Sequence, residues 1–157
     1  MKNVLIMLVC FQMSAAARAQ VIPYFEGKLD CDTAYTNIEM GLCSRYFLDS
    51  AAAEMNALVT RLAQRIDSAS AETTNDLSAT TDPILFDYLR DDTARLRTMR
   101  RELFASQEAF MAYSSHSRDV VGEMIGMGRE RAIQENYEEL DLVIGRIEVL
   151  KRWLEFY

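Results

Sequence analysis

The sequence predicts an all-α protein, a small antiparallel bundle of three long helices with one disulfide near its N-terminus. Two observations predict this fold. Apolar residues recur at spacings of three and four along three long segments, and no segment alternates clearly enough to be a strand. Six glycines and two prolines leave room for long helices. Because three amphipathic helices can bury their stripes only against each other, they form a bundle.

The first 19 residues have the three parts of a secretory signal peptide. Lys2 supplies a positive start, residues 4–11 are an apolar run too short to span a bilayer, and Ala17-Arg18-Ala19 is a small-x-small cleavage site. The alternatives are an uncleaved membrane anchor and a lipoprotein attached through Cys10, which the bulky residue before that cysteine disfavours. We therefore expect an exported protein, periplasmic or secreted.

Loss of the leader leaves two cysteines, Cys31 and Cys43, an even number that favours one disulfide in an exported chain. A metal site normally needs more ligands than two cysteines and His116 supply. A catalytic thiol needs a nearby base, and no histidine is close to either cysteine in sequence. The closed loop should stabilise the fold by about 3 kcal/mol.

The mature chain, residues 20–157, has the length of a single domain and begins with an extended lead-in over residues 20–35. A capping box predicts the first helix, because the Thr36 hydroxyl can accept from the backbone of Glu39 while that carboxylate reaches back. We expect this helix to end near Asp67. Its apolar face comprises Cys43, Phe47, Ala51, Met55, Leu58, Val59, Leu62 and Ile66.

Residues 68–82, rich in Ser, Ala, Thr, Asn and Asp, predict a mobile linker. Asp82 at the cap and Pro83 at the first helical position start the second helix. We expect it to end between Ser114 and Val121. Its stripe comprises Leu85, Leu89, Leu96, Met99, Leu103, Phe110 and Tyr113.

Three glycines within residues 122–128 predict a turn, since glycine costs helix stability. The last helix should start near Arg129. Its stripe comprises Ile133, Tyr137, Leu140, Ile144, Ile147 and Leu154, widened by Val143 and Leu150.

Charge excludes some partners. The leader holds two basic residues and no acid, so the mature chain has 15 basic residues against 24 acidic ones, a net charge of −9. This balance disfavours nucleic acid, whose phosphates require a basic patch. It favours solubility, and it would speed encounter with a cationic partner. After the leader, no apolar run is long enough for a transmembrane helix.

No group of residues predicts a catalytic, cofactor or metal site. A dimetal centre in a bundle needs Glu-x-x-His motifs, and His116 has no Glu three positions before it. We interpret the acidic clusters as a solvated helix face and His116 as exposed. The clusters are Asp91, Asp92, Glu130, Glu135, Glu138, Glu139 and Asp141. The protein is therefore expected not to be an enzyme.

Other polar and aromatic residues have structural interpretations. Asn56 and Gln107 lie close to apolar stripes and should hydrogen-bond between helices. Most aromatic residues should pack in the core or at helix ends. The C-terminal segment 153–157 is the strongest candidate for an exposed apolar patch, unless it packs over the end of the bundle.

The spacing Cys31…Thr36…Glu39-Met40…Cys43, with Asn56 thirteen positions on, resembles the lysozyme inhibitor LprI-like N-terminal domain family. Further similarity lies in Leu103…Ser106-Gln107-Glu108-Ala109-Phe110…Tyr113, in the glycine turn, and in Arg146…Leu150. The chain departs from the family at Gly41, Ala52, Phe110 and Ser114, and it lacks a second cysteine pair. The resemblance implies a divergent, small helical envelope domain that binds another protein.

Two functions are expected. The first is inhibition of lysozyme-type cell-wall hydrolases, whose frequent positive charge matches the acidic chain. Residues 68–82 or 114–128 would then enter the cleft of the target. The second is a structural or accessory periplasmic module that binds an envelope protein. The sequence predicts neither an oligomeric state nor the identity of the partner.

Overall fold

The structure is a computed structural model that describes residues 31–34, 36–128 and 130–156. The described residues fall into two units, residues 31–34 and the residues after position 35. In the first unit the described residues contain one 3₁₀ turn, Cys31–Thr33. The predicted signal peptide and the lead-in up to residue 30 lie outside the described residues. Cys31 and Cys43 are both disulfide-bonded, which confirms the predicted pair.

The second unit is a bundle of three helices, as predicted. Helix α1 covers Asn37–Ala79, α2 covers Pro83–Ile125 and α3 covers Arg131–Glu155. Each of the first two has 43 residues, a length of about 65 Å, whereas the 25 residues of α3 span about 38 Å. Because α3 is shorter, it can pack along only part of the other two helices.

Local signals place the helix starts where they were predicted. Thr36 Oγ1 accepts from the backbone N–H of Glu39, and the Glu39 carboxylate accepts from the N–H of Thr36, so the capping box is confirmed. The Asp82 carboxylate accepts from the backbone N–H groups of Ile84 and Leu85, with Pro83 at the first helical position. These bonds satisfy N–H groups that have no partner inside the helix.

The predicted linker over residues 68–82 is wrong, because α1 continues through it to Ala79. Residues 68–79 contain no glycine or proline, and the hydroxyls of Thr73, Thr74 and Ser78 bond to carbonyls of their own helix. Thr73 donates to the carbonyl of Ala69 and Thr74 to that of Ser70. These bonds do not stabilise the helix, so it continues because residues 68–79 contain neither of the two residues that most disfavour a helix interior. Only residues 80–82 connect α1 to α2.

The predicted end of α2 between Ser114 and Val121 is also wrong, since this helix runs to Ile125. Gly126, which has a φ of 75°, ends it in the left-handed region that favours glycine. Gly122, predicted in the turn, lies buried inside the helix, where a Cβ would collide with Glu135. Tertiary packing against the first turns of α3 therefore overrides the weak helix propensity of this segment.

The core follows the predicted stripes with specific exceptions. It consists of Leu48, Met55, Leu58, Val59, Leu62, Ala63, Ile66, Leu96, Leu103, Val143, Ile147 and Leu150. Leu48 takes the buried position predicted for Phe47, and Val143 and Leu150 form the centre of the α3 stripe. Large side chains predicted in the stripes but exposed are Phe47, Leu85, Tyr113, Tyr137 and Ile144.

Two regions of the bundle differ in the number of helices. Arg65 of α1 donates to the backbone carbonyl of Leu154 (2.8 Å), so α3 ends beside Arg65. Beyond this point α1 and α2 continue as a pair for about 20 Å. We call residues 67–98 the arm, and residues 36–66 together with 99–156 the body. No residue of α1 after Ile66 is buried.

Candidate functional site

The most exposed apolar cluster of the arm lies at its tip, where α2 begins. Four large apolar side chains fall within residues 84–88. Their exposed fractions are Ile84 83%, Leu85 44%, Phe86 43% and Tyr88 66%. Single exposed apolar residues are ordinary on a protein surface, but four large ones within five positions of a helix start favour a surface that contacts something else.

The cluster is exposed because the facing end of α1 has too little apolar surface to cover it. Residues 68–79 of α1 are mostly small or polar, and Leu77 is their one large apolar residue. The first buried side chain of α2 is Leu89, followed by Thr93. The α1–α2 connection of three residues leaves no loop to fold back over residues 84–88.

The tip is strongly acidic. We call residues 72–92 the tip segment; it contains six carboxylates and a single cation, Arg90, a net charge of −5. Arg90 pairs with Asp87 and Asp91, while Glu72 and Asp76 form no ion pair within the described residues. Charge and apolar surface together would attract a partner that offers cations around an apolar recess.

A second apolar surface lies at the base of the arm, where α3 ends. It is a groove of about 750 Å³, within the size range of ligand and side-chain pockets. Its walls come from all three helices: Leu62, Ile66, Met99, Glu102, Leu103, Ala105, Ser106, Trp153 and Phe156. Trp153 is 36% and Phe156 83% exposed, which confirms the predicted apolar patch of the C-terminal segment for these two residues. Tyr157 lies outside the described residues.

Arg146 holds one wall of the groove in place. Its guanidinium lies over the rings of Trp153 (5.0 Å) and Phe110 (5.7 Å) and donates to Ser106 Oγ (2.9 Å) and Gln107 Oε1 (3.3 Å). It forms no ion pair within the described residues, and burial lowers the pKa of this guanidinium. Cation–π contact and neutral hydrogen bonds therefore orient the tryptophan at the mouth of the groove.

The predicted acidic face of α3 does more than contact solvent. Glu139 pairs with Arg118 of α2 (3.1 Å), and Glu138 accepts from Ser117 (2.7 Å). Glu135 pairs with Arg131 on its own helix (2.7 Å). These half-buried carboxylates join α3 to the last turns of α2 or fix its first turn. Among the described residues, no group of three or more His, Cys, Asp or Glu is placed to hold a metal ion.

The structure confirms some of the remaining predictions for single residues and contradicts others. Gln107 bonds between helices, to Arg146 and through its amide to Met55 Sδ, as predicted. Asn56 is exposed and forms no such bond to any described residue, so that prediction is wrong. His116 is exposed, as predicted. The aromatic residues were predicted to be mostly packed, yet most of those that the structure describes are more than one-third exposed.

Sequence reasoning missed residues 84–88 as a surface. The available signal was the run Ile84-Leu85-Phe86 directly after a helix cap, followed by Tyr88. A helix that packs on one neighbour needs one apolar stripe, and three consecutive apolar residues cannot all face the same side. Such a run at a helix start indicates either that a second helix packs against it or that part of it is exposed as an apolar patch.

The chain was compared with known proteins. No family model, no curated protein and no solved structure matches it. Within the part of the chain that the structure describes, no helix is long and apolar enough to cross a membrane.

Proposed function

We propose that this chain is an exported, non-enzymatic domain that binds another protein through the tip of its arm. The observation that carries the proposal is the exposure of residues 84–88 within a segment of net charge −5. A narrow two-helix projection with apolar side chains at its end has a shape suited to a cleft. The partner that suits its charge is a cationic protein.

The target class follows from the resemblance of the sequence and from the charge. Cell-wall hydrolases of the lysozyme type combine an open cleft with a positive surface, and the LprI-like resemblance implies this target. Of the two segments expected to enter the cleft, 68–82 is supported by its place on the arm. Residues 114–125 belong to α2 and contribute to packing against α3.

The test is inhibition of cell-wall lysis by lysozymes of several classes, with the purified protein in micromolar excess. We expect inhibition that weakens as salt is added, because opposite charges steer the encounter. Replacement of Ile84 by Asp should weaken inhibition about tenfold or more, as expected for an apolar anchor. The matched control is Met127→Asp, which places the same charge on a residue that is 99% exposed at the opposite end of the bundle.

Absence of inhibition with every lysozyme class would overturn the hydrolase target. Equal inhibition by the wild type and Ile84→Asp would overturn the tip as the binding surface. The structural or accessory module then becomes the better proposal, and it would be tested by direct binding to purified envelope proteins.

A further inference from the structure

The tip and the groove lie on one face of α2. Ile84, Tyr88, Asp91, Arg95 and Met99 follow at spacings of four, three, four and four, and Glu102 comes three residues later. Residues at these spacings form one row along a helix. The row begins with apolar residues at the tip, has a carboxylate and a guanidinium in its middle, and ends at residues that line the groove.

Charge changes sign along the arm. We call residues 61–67 and 93–102 the base; it contains Arg61, Arg65, Arg95, Arg97, Arg100 and Arg101 against Asp67 and Glu102, a net charge of +4. The tip segment carries −5. Within the described residues, Arg61 and Arg97 form no ion pair, so part of the positive charge at the base is available to another molecule.

Along the arm, apolar residues at the tip give way to the groove at the base, and negative charge gives way to positive charge. Both changes are complementary to a second copy of the same chain in the opposite orientation. We propose that two copies associate through antiparallel arms, so that the apolar tip of each copy lies on the groove at the base of the other. The two arms contribute four helices, and four helices enclose a core that two leave partly open. The arrangement is two-fold symmetric and closed, so that it makes the tip-to-groove contact twice.

The row on α2 specifies the register. A two-fold axis near residue 93 places Ile84 of one copy beside Glu102 of the other, and Tyr88 beside Met99. It also places Asp91 of each copy beside Arg95 of the other. A parallel pairing would instead put two segments of net charge −5 together, which disfavours it.

The first test is the mass of the purified full-length protein by light scattering and sedimentation across micromolar concentrations. We expect a dimer at low salt that dissociates toward monomer in about 0.5 M NaCl, where the Debye length is only a few Å. Replacement of Tyr88 by Asp should weaken the dimer about tenfold or more, whereas Met127→Asp should leave it unchanged. Both side chains are exposed, and circular dichroism checks that each variant keeps its helices.

A charge swap tests the register. Asp91→Arg and Arg95→Asp should each weaken the dimer, because each puts like charges side by side across the interface. A mixture of the two single variants should restore it as a heterodimer, because both contacts between copies then join opposite charges, while the pair of Arg95 with Asp92 on its own helix (2.7 Å) is not restored. Asp49→Arg, a matched charge change on the exposed surface of the body, should have a smaller effect. A monomer at low salt, a dimeric Tyr88→Asp variant, or a mixture no more dimeric than the single variants would overturn the proposal.

This inference goes beyond the proposed function. Because the dimer covers the tip, a second copy and a target would compete for residues 84–88, but the dimer itself is measured without any target. If the dimer forms and no lysozyme is inhibited even at protein concentrations where the chain is monomeric, only the proposed function fails. If inhibition occurs and the protein is monomeric, only the dimer fails.

Discussion

The body and the arm share α1 and α2 but differ in whether a third helix packs against this pair. In the body each helix contacts two others, and side chains such as Met55, Leu58 and Leu150 are at most 1% exposed. In the arm two helices continue past the end of α3, and Leu96 is the one buried arm residue that joins the core cluster. The buried side chains of the arm are Leu89, Thr93 and Leu96, all from α2. Two amphipathic helices therefore bury their apolar stripes fully only where a third helix packs against both.

The difference also means that the residues that stabilise the fold and the residues exposed for binding lie in different regions. Fully buried apolar groups account for most of the free energy of folding, so the body should dominate global unfolding. The arm buries little and exposes its largest side chains, so it should open locally at a lower cost. A region with these properties can change its surface residues without loss of the fold.

The largest expected effect is on the core of the body. Replacement of Leu150, which is 0% exposed, by Ala should lower the free energy of unfolding by about 4 kcal/mol, since it removes buried surface and leaves a cavity. The matched arm variant Leu89→Ala, at a residue 9% exposed beside a single neighbouring helix, should cost about half as much. Denaturant unfolding measures both. Equal losses would show that the arm is as tightly packed as the body.

A smaller effect is expected from two buried serines of the body, whose replacement by alanine should change the free energy of unfolding in opposite directions. Ser44 Oγ donates to the carbonyl of Gly41 and accepts from Asn136 Nδ2, both at 3.0 Å. Ser44→Ala should therefore cost about 1 kcal/mol, because the half-buried amide of Asn136 loses its partner. Ser114 Oγ is buried without a hydrogen-bond partner among the described residues, so Ser114→Ala should raise stability by about 1 kcal/mol. Thermal unfolding of both variants checks the opposite signs.

The smallest expected changes in stability come from substitutions that raise helix propensity, one in the body and one in the arm. Gly145 lies inside α3 with nothing within 4 Å of a Cβ, so Gly145→Ala should add about 0.5–1 kcal/mol to global stability. Thr74→Ala in the arm should gain a few tenths of a kcal/mol in local helix stability. If the arm opens before the body, that gain will appear in hydrogen exchange of residues 68–79 and not in global unfolding. A matching rise in the global value would show that the arm and the body unfold together.

Much of the fold could be predicted from sequence because its signals are local. The capping box at Thr36 and the cap at Asp82 depend on residues within three positions of each other, and both helices start as expected. The three stripes predict three helices that need one another. The disulfide follows from a count of cysteines.

The errors arise where the deciding contact is distant in sequence or is absent. Packing of Arg131 and Glu135 on Gly122 carries α2 through a segment of poor helix propensity. The open tip depends on the length of α3, which ends before it can cover residues 84–88. The run Ile84-Leu85-Phe86 indicates either a second neighbouring helix or an exposed patch, and only the assembled bundle decides between the two.

The equal length of α1 and α2 limits how this chain can vary in evolution. Because three residues connect two helices of 43 residues each, an insertion or deletion in one side of the arm must be matched in the other. Paired changes of about seven residues, two helical turns on each side, would keep the apolar stripes in register. Such changes would leave the body untouched. The reach of the arm can therefore be selected as a trait of its own, separate from the fold that supports it.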